Sequence, residues 1–441
     1  MTRRSLIAIV LPYLFAVAQM QAQTFLPDWP EPDNGVVSAI YYDTNTDKVF
    51  IGGDFTIFSG FSCDGLVAIN ATTGQMYNWA PSTPGHVRTL TVVGERLIVG
   101  GNSSSFGYLR QFNTVTGDEL TEWGTIHEGG WIVDLESDGE FLYALQFYGV
   151  LASVLAEPST VLSLGPSFSP NGPNICLTMA QTESVRFIGG LLFDVNDVAV
   201  SHLVGIDRMT GEVVPWVPLI PGNMVLDLLI SDGILYIAGE FYSVGGVQRL
   251  GLAAIDVTNG ELLPFNPGVL VIPRVMSLNG ARLYVGGSFG ALGGFSTYLL
   301  GALSLPSGEA VPWDPQMSQT GAVLALHSAG DRLFAAGTFT SVEGINKPGF
   351  AVWSLDGVGV EERAAPMVGL HPNPTTGVVH LSGNASQVRK VVLHDLLGAQ
   401  VASVPYTNSF DVSHLAEGVY VTTLLGVNDQ VVGRSKLILE K

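Results

Sequence analysis

Six times along the 441-residue chain an apolar run ends on a pair of small residues: Ile51-Gly52-Gly53, Val99-Gly100-Gly101, Ile188-Gly189-Gly190, Ile237-Ala238-Gly239, Val285-Gly286-Gly287 and Ala335-Ala336-Gly337. The first small residues stand at 52, 100, 189, 238, 286 and 336, so the spacing is 48 to 50 residues apart from one interval of 89, which is two periods. A degenerate copy, Tyr143-Ala144-Leu145-Gln146-Phe147, fills that interval. Seven copies of one supersecondary unit leave few possible architectures, because each unit must bury its apolar faces against its neighbours.

The grammar of the unit is legible in any copy. An alternating strand (Val225-Leu226-Asp227-Leu228-Leu229) meets a tight turn at Ser231-Asp232-Gly233, and a second strand runs through Ile237-Ala238-Gly239. Asp-Gly and Asn-Gly turns such as Asp138-Gly139 and Asn279-Gly280 supply the positive φ that two-residue hairpins need. A glycine-rich loop leads to a third strand, Leu252-Ala253-Ala254-Ile255-Asp256. A fourth short element follows a Thr-Gly type turn (Thr73-Gly74, Thr116-Gly117, Thr210-Gly211, Asn259-Gly260, Ser307-Gly308). It closes on an aromatic and a proline at Trp79-Ala80-Pro81, Phe168-Ser169-Pro170, Trp216-Val217-Pro218, Phe265-Asn266-Pro267 and Trp313-Asp314-Pro315. Four antiparallel strands per repeat of about 46 residues predict an all-β, seven-bladed β-propeller over 23–361. Glycines in the second strand are expected to leave room for close backbone approach between packed blades or near the crowded axis. The last repeat ends at Ser354-Leu355-Asp356-Gly357 without its aromatic-proline element, while Phe25-Leu26-Pro27-Asp28-Trp29-Pro30 has one without a blade. Residues 24–32 are therefore expected to add the outer strand of the seventh blade and close the ring.

The repeats resemble the DUF5122-type repeats of bacterial secreted and surface proteins (Leu-Tyr-Val-Gly-Gly-x-Phe, a Gly-Gly loop, Ala-Ile-Asp-x-x-Thr-Gly), best at Leu235 to Gly260 and Leu283 to Gly308. Gly205 to Trp216 also resembles the repeat of pyrroloquinoline-quinone propellers. Both resemblances specify fold and leave function open, since one propeller hosts many activities.

Arg3, Arg4 and the apolar run Leu6 to Val17, followed by small residues, read as a signal peptide over 1–22 with cleavage after Ala18 or Ala22. Composition shifts again after a short linker at 362–365. Residues 23–365 carry 12 basic and 34 acidic side chains, whereas 366–441 carry five of each. The tail, with period-two strands at Val388 to Leu393 and Val419 to Leu425, is expected to be a separate small β-sandwich, immunoglobulin-like in class. Its motifs are His371-Pro372-Asn373-Pro374-Thr375-Thr376-Gly377, Asp395-Leu396-Leu397-Gly398, Asp411 through Leu415 to Gly418-Val419-Tyr420, and Lys436-Leu437-Ile438. In that order they resemble the C-terminal sorting domain of type IX (Por) secretion cargo, with His371 where that family usually has an aromatic residue. The resemblance implies the secretion machinery as a partner, passage through the periplasm, and a cargo released or held at the outer surface.

The formal charge of −20 excludes the basic footprint that nucleic acid or anionic lipid needs. No membrane insertion is expected of the mature chain. Cys63 and Cys176 have no spacing that says they pair. Asp43-Thr44-Asn45-Thr46-Asp47 has calcium-loop spacing, with Asp54 at the twelfth position, but Lys48 stands where that loop needs glycine and the segment reads as a hairpin turn. Asp134, Glu136 and Asp138 alternate along a strand, as an acid pair or a solvated face would. The recurring Trp79, Trp123, Trp216 and Trp313 read as blade packing. Between Phe147 and Phe168 the glycine loop and turn give way to Leu151-Ala152-Ser153-Val154-Leu155-Ala156-Glu157-Pro158, a departure that marks a drifted blade or a contact surface. No catalytic, cofactor or metal site is assigned. The expectation is a non-enzymatic binding or scaffold module for a glycan or surface protein outside the cell, with a secreted polysaccharide lyase or hydrolase as the alternative.

Overall fold

The computed structural model describes residues 23–103, 106–121, 130–138, 141–147, 151–155, 161–163, 174–355, 369–371, 375–382, 388–394, 400–405, 409–426 and 431–440. The expected signal peptide over 1–22, the expected linker 362–365, Trp123, Phe168 and Pro170 lie outside them. Every regular element among the described residues is a β-strand. The chain divides into two compact units, Met1–Val358 and Gly359–Lys441.

Among the described residues the first unit holds seven antiparallel sheets of three to five strands, one per repeat, and four two-stranded hairpins beside them. In the first blade Val37–Asp43 pairs with Lys48–Gly53, which pairs with Leu66–Asn70. The innermost strands of the seven sheets touch in a cycle that runs in chain order and returns from Val323–Ala329 to Val37–Asp43, so the ring is closed. The core is correspondingly divided into seven apolar layers, each shared by two neighbouring blades; Phe334, Phe350 and Val352 of the seventh meet Val37, Val49 and Ile51 of the first. Thr24–Phe25 adds the outer strand of the seventh blade, with Thr24 opposite Ser354 and Phe25 opposite Trp353.

One element is smaller than expected. In the first, second, fourth and fifth blades the fourth strand shrinks to a single bridge, Ile69 with Met76, Phe112 with Glu119, Ile206 with Val213 and Ile255 with Leu262. The third blade keeps a full fourth strand, Val161–Ser163, and its aberrant segment supplies the third, Leu151–Leu155.

The paired glycines have two separate causes. Each innermost strand carries a β-bulge at the same place, between Val37 and Ala39 in the first blade and between Val323 and Ala325 in the last. The second glycine lies under that bulge: a Cβ on Gly53 would stand 2.0 Å from the carbonyl oxygen of Val36, and one on Gly337 2.0 Å from that of Ala322. The first glycine faces the next blade, where a Cβ on Gly52 would meet Val87 at 2.4 Å and one on Gly286 would meet Val323 at 2.5 Å.

The second unit has two sheets. Gly369–His371, Val378–Ser382 and Ser409–Asp411 form one; Gln400–Pro405, Lys390–His394, Gly418–Leu425 and Val431–Leu439 form the other. Val379, Val391, Phe410 and Leu437 are among the buried residues of its core.

Candidate functional site

Polar groups gather where the innermost strands begin and the second strands end. Ser38 is the extra residue of the first blade's bulge, His86 opens the second blade's innermost strand, and Asp54 follows Gly53. Ser38 Oγ lies 2.7 Å from His86 Nε2, and Asp54 Oδ2 lies 3.8 Å from His86 Nδ1. Val36 N donates to Asp54 Oδ1 at 2.5 Å, which leaves the other carboxylate oxygen toward the imidazole. Burial holds the His86 pKa below its ordinary value, helped by the charge of Arg88 and opposed by that of Asp54. Arg88 donates from Nε to Asn102 Oδ1 at 2.5 Å, with its guanidinium over the Trp131 ring at 4.6 Å. Trp131 in turn packs on Phe147.

The alternating acids do not act as one acidic set. Asp134 accepts from Leu135 N at 2.9 Å and, across the blade boundary, from Met179 N at 2.7 Å. Thr178 Oγ1 accepts from Leu228 N at 3.2 Å, and Asp227 from Met276 N at 2.5 Å. Residues just after the bulge thus pin successive innermost strands together from the third blade to the sixth. Desolvation raises Asp134 to about 6 and Asp227 to about 8. Glu136 also rises to about 8, through burial first and the charge of Asp134 second. Asp138 is taken up separately, by Arg208 Nη2 at 2.5 Å, the Tyr143 hydroxyl at 2.9 Å and Phe141 N at 2.7 Å. A shared strand face was the visible signal, whereas the clamp depends on register between blades that local sequence does not display.

The Asp43 to Asp47 segment forms its hairpin: Asp43 accepts from Asn45 N and Thr46 Oγ1, and Asp47 from Asn70 Nδ2, Thr72 Oγ1 and the Tyr42 hydroxyl. Asp54 is drawn away to His86. Among the described residues no three His, Cys, Asp or Glu side chains converge as metal ligands, and there is no helix long and apolar enough to cross a membrane. Cys63 and Cys176 are buried as free thiols.

A cleft of about 440 Å³ lies between the fifth and sixth blades, lined in part by Asn223, Glu240, Tyr242, Leu250, Val271 and Ile272. The strands Gly222–Ser231 and Val269–Asn279 extend beyond the length of their counterparts to form it. Tyr242 is 60% exposed, and Val271 is 65% exposed. Val271 holds φ at +103°, a region β-branched residues avoid and one that marks stored strain. Asn223 Nδ2 donates to Glu240 Oε2 at 2.7 Å.

In the tail, Val412 N donates to the carbonyl of Gly377 at 2.9 Å, so the first and third motifs meet. Asp411 accepts from Ser413 N at 2.8 Å, and this bonding lowers its pKa. Leu415 and Tyr420 enter the core, with the Tyr420 hydroxyl on Ala416 O at 2.7 Å. Of the remaining motif residues, Pro372, Asn373, Pro374, Asp395 and Gly398 lie outside the described residues, and His371 and Lys436 are described in their backbone alone. Residues 369–440 match the family described as the secretion system C-terminal sorting domain. The tail is similar to that sorting domain. It directs the chain to the cell surface or the extracellular space through the type IX machinery. Residues 14–126 match the Rax2 C-terminal beta propeller domain. No curated protein matches the chain. The solved structure of the computationally designed Ika8 protein is 13% identical, covers 74% of this chain and 98% of its own, and superimposes with a TM-score of 0.49.

Proposed function

We propose that the propeller is a binding module displayed at the cell surface or outside the cell, and that its ligand is a neutral glycan. The cleft beside Tyr242 carries this reading. A sugar offers an apolar C–H face and a rim of hydroxyls, which suit an exposed aromatic ring and a hydrogen-bonded Asn–Glu pair respectively. The Glu240 carboxylate and the surplus of 22 acidic residues in 23–365 disfavour an anionic polymer. The resemblance of the repeats to those of bacterial surface proteins supports the same role. A second occupant, an apolar protein surface, is favoured by the hairpin tips Phe61, Val198, Val247 and Ile345, exposed at equivalent places on four blades.

The test is a screen of the full chain against a panel of neutral and anionic oligosaccharides, repeated with Tyr242→Ala. Binding to a neutral glycan that falls at least about tenfold in the variant, with the melting temperature unchanged, is expected. Binding that the substitution leaves intact would refute the cleft as the site.

A further inference from the structure

We infer that Ser38, His86 and Asp54 form a hydrolytic site for carboxylic esters, an activity beyond the binding role proposed above. Ser38 Oγ is within hydrogen-bond reach of His86 Nε2, and Asp54 faces the opposite ring nitrogen, which is the order nucleophile, base and orienter require. The carboxylate favours the tautomer with its proton on Nδ1, so that Nε2 is free to accept the serine proton. All three side chains retain solvent access, with His86 27% and Asp54 45% exposed.

The fold contains its own control, because every blade has the same three positions. The place of Ser38 in the bulge is taken by Arg88, Val133, Leu177, Leu226, Arg274 and Leu324 in the other blades. The place of His86 is taken by Val36, Trp131, Ile175, Met224, Ile272 and Ala322. The place of Asp54 after the small pair is taken by Asn102, Phe147, Leu191, Glu240, Ser288 and Thr338. Blade packing therefore tolerates apolar residues at the first two positions, and the architecture does not demand a serine or a histidine at either. Serine, histidine and aspartate each occur once at their position, on two adjacent blades, and they meet.

The reaction balances without a cofactor. Ser38 Oγ attacks the ester carbonyl carbon while its proton passes to His86 Nε2. The tetrahedral adduct collapses by breaking the bond to the alcohol oxygen, which takes the proton from His86. Water then attacks the acyl-serine, gives one proton to His86, and the acid leaves as the proton returns to Ser38 Oγ. An ester rather than an amide is the expected substrate, because at 3.8 Å Asp54 supports the imidazolium weakly and an alcohol is the easier leaving group.

The experiment treats the full chain with a fluorophosphonate probe, maps the adduct by peptide mass, and follows p-nitrophenyl acetate hydrolysis against pH. An adduct on Ser38 is expected, with hydrolysis falling ~100-fold or more in Ser38→Ala. The acid limb of the rate profile should have its midpoint below 6.5, the ordinary histidine value. No adduct on Ser38, or hydrolysis that survives Ser38→Ala, would overturn the assignment. Adduct mapping uses the unsubstituted protein, so it decides even where the variant fails to fold. Glycan binding reads a different cleft, so either proposal can fail without the other.

Discussion

A carboxyl group tied to backbone N–H groups inside a ring is a stability element with a sign. Burial pushes Asp134, Glu136 and Asp227 up to about 6, 8 and 8 in the folded chain, against the opposing pull of the N–H bonds to the two aspartates, while the unfolded chain releases the same protons near 4. As pH rises from about 4 to about 8 the unfolded state gives up protons that the folded state keeps, so stability falls across that window and levels off above it. Glu136→Gln should leave the melting temperature nearly unchanged at pH 4 and raise it by a few degrees at pH 8, measured by calorimetry at both values. The glycines have an opposite tolerance. Gly53→Ala would place a methyl against the Val36 carbonyl, a backbone atom, and should destabilise the ring by roughly 1–3 kcal/mol in a denaturant melt. That these glycines are crowded was legible from their recurrence at one place in the repeat. The two reasons for the crowding were not, since the bulge under Gly53 and the approach of Val87 to Gly52 depend on pairing and ring geometry.

At the scale of the blade, one device recurs. The aromatic that ends a repeat packs on an aromatic of its own blade's second strand: Trp79 on Phe50, Trp216 on Phe187, Phe265 on Tyr236, Trp313 on Tyr284, and Trp29 on Phe334. The same ring meets the turn glycine of the following blade, Trp29 with Gly74, Trp79 with Gly117, Trp216 with Gly260 and Phe265 with Gly308. This contact joins two features that recur in the sequence, the Thr-Gly turn and the aromatic-proline close, into one lock between neighbours. Trp79→Ala should cost about 3–5 kcal/mol, read from chemical denaturation, because the ring is buried and fills a shared layer. The packing role of these aromatics was readable from their period. The reduced fourth strand was not, because a turn followed by an aromatic and proline looks alike whether it makes a ladder or one bridge. The candidate sites were less legible still: Ser38, His86 and Asp54 come from two repeats, and no local motif joins residues separated by a whole blade.

Over the whole molecule, the ring is fastened by chain ends far apart in sequence. The strap brings Phe25 against Trp353 and Trp29 against Phe334, and Lys347, buried, donates its ammonium hydrogens to the carbonyls of Pro27 and Trp29 and pairs with Glu31 at 2.8 Å. Deleting 24–32 would bare the edge of Phe350–Ser354 and strand that ammonium in the core, so the melting temperature should drop by several degrees or folding should fail. This joint was legible because one repeat lacked what the N-terminal segment carried in surplus. The tail was legible from its ordered motifs, and the ligand was not, because the cleft forms where two strands run beyond the length of their counterparts and so outside the repeat pattern. The division of labour between the two units, export by the tail and, as we propose, binding by the propeller, is the central feature of the molecule. Its most direct test is the location of a chain ended before Pro366, expressed in a host that has the type IX machinery and followed by fractionation and protease protection. A folded propeller held inside the cell envelope is the predicted result, and the same chain recovered outside the cell at the full-length yield would contradict it.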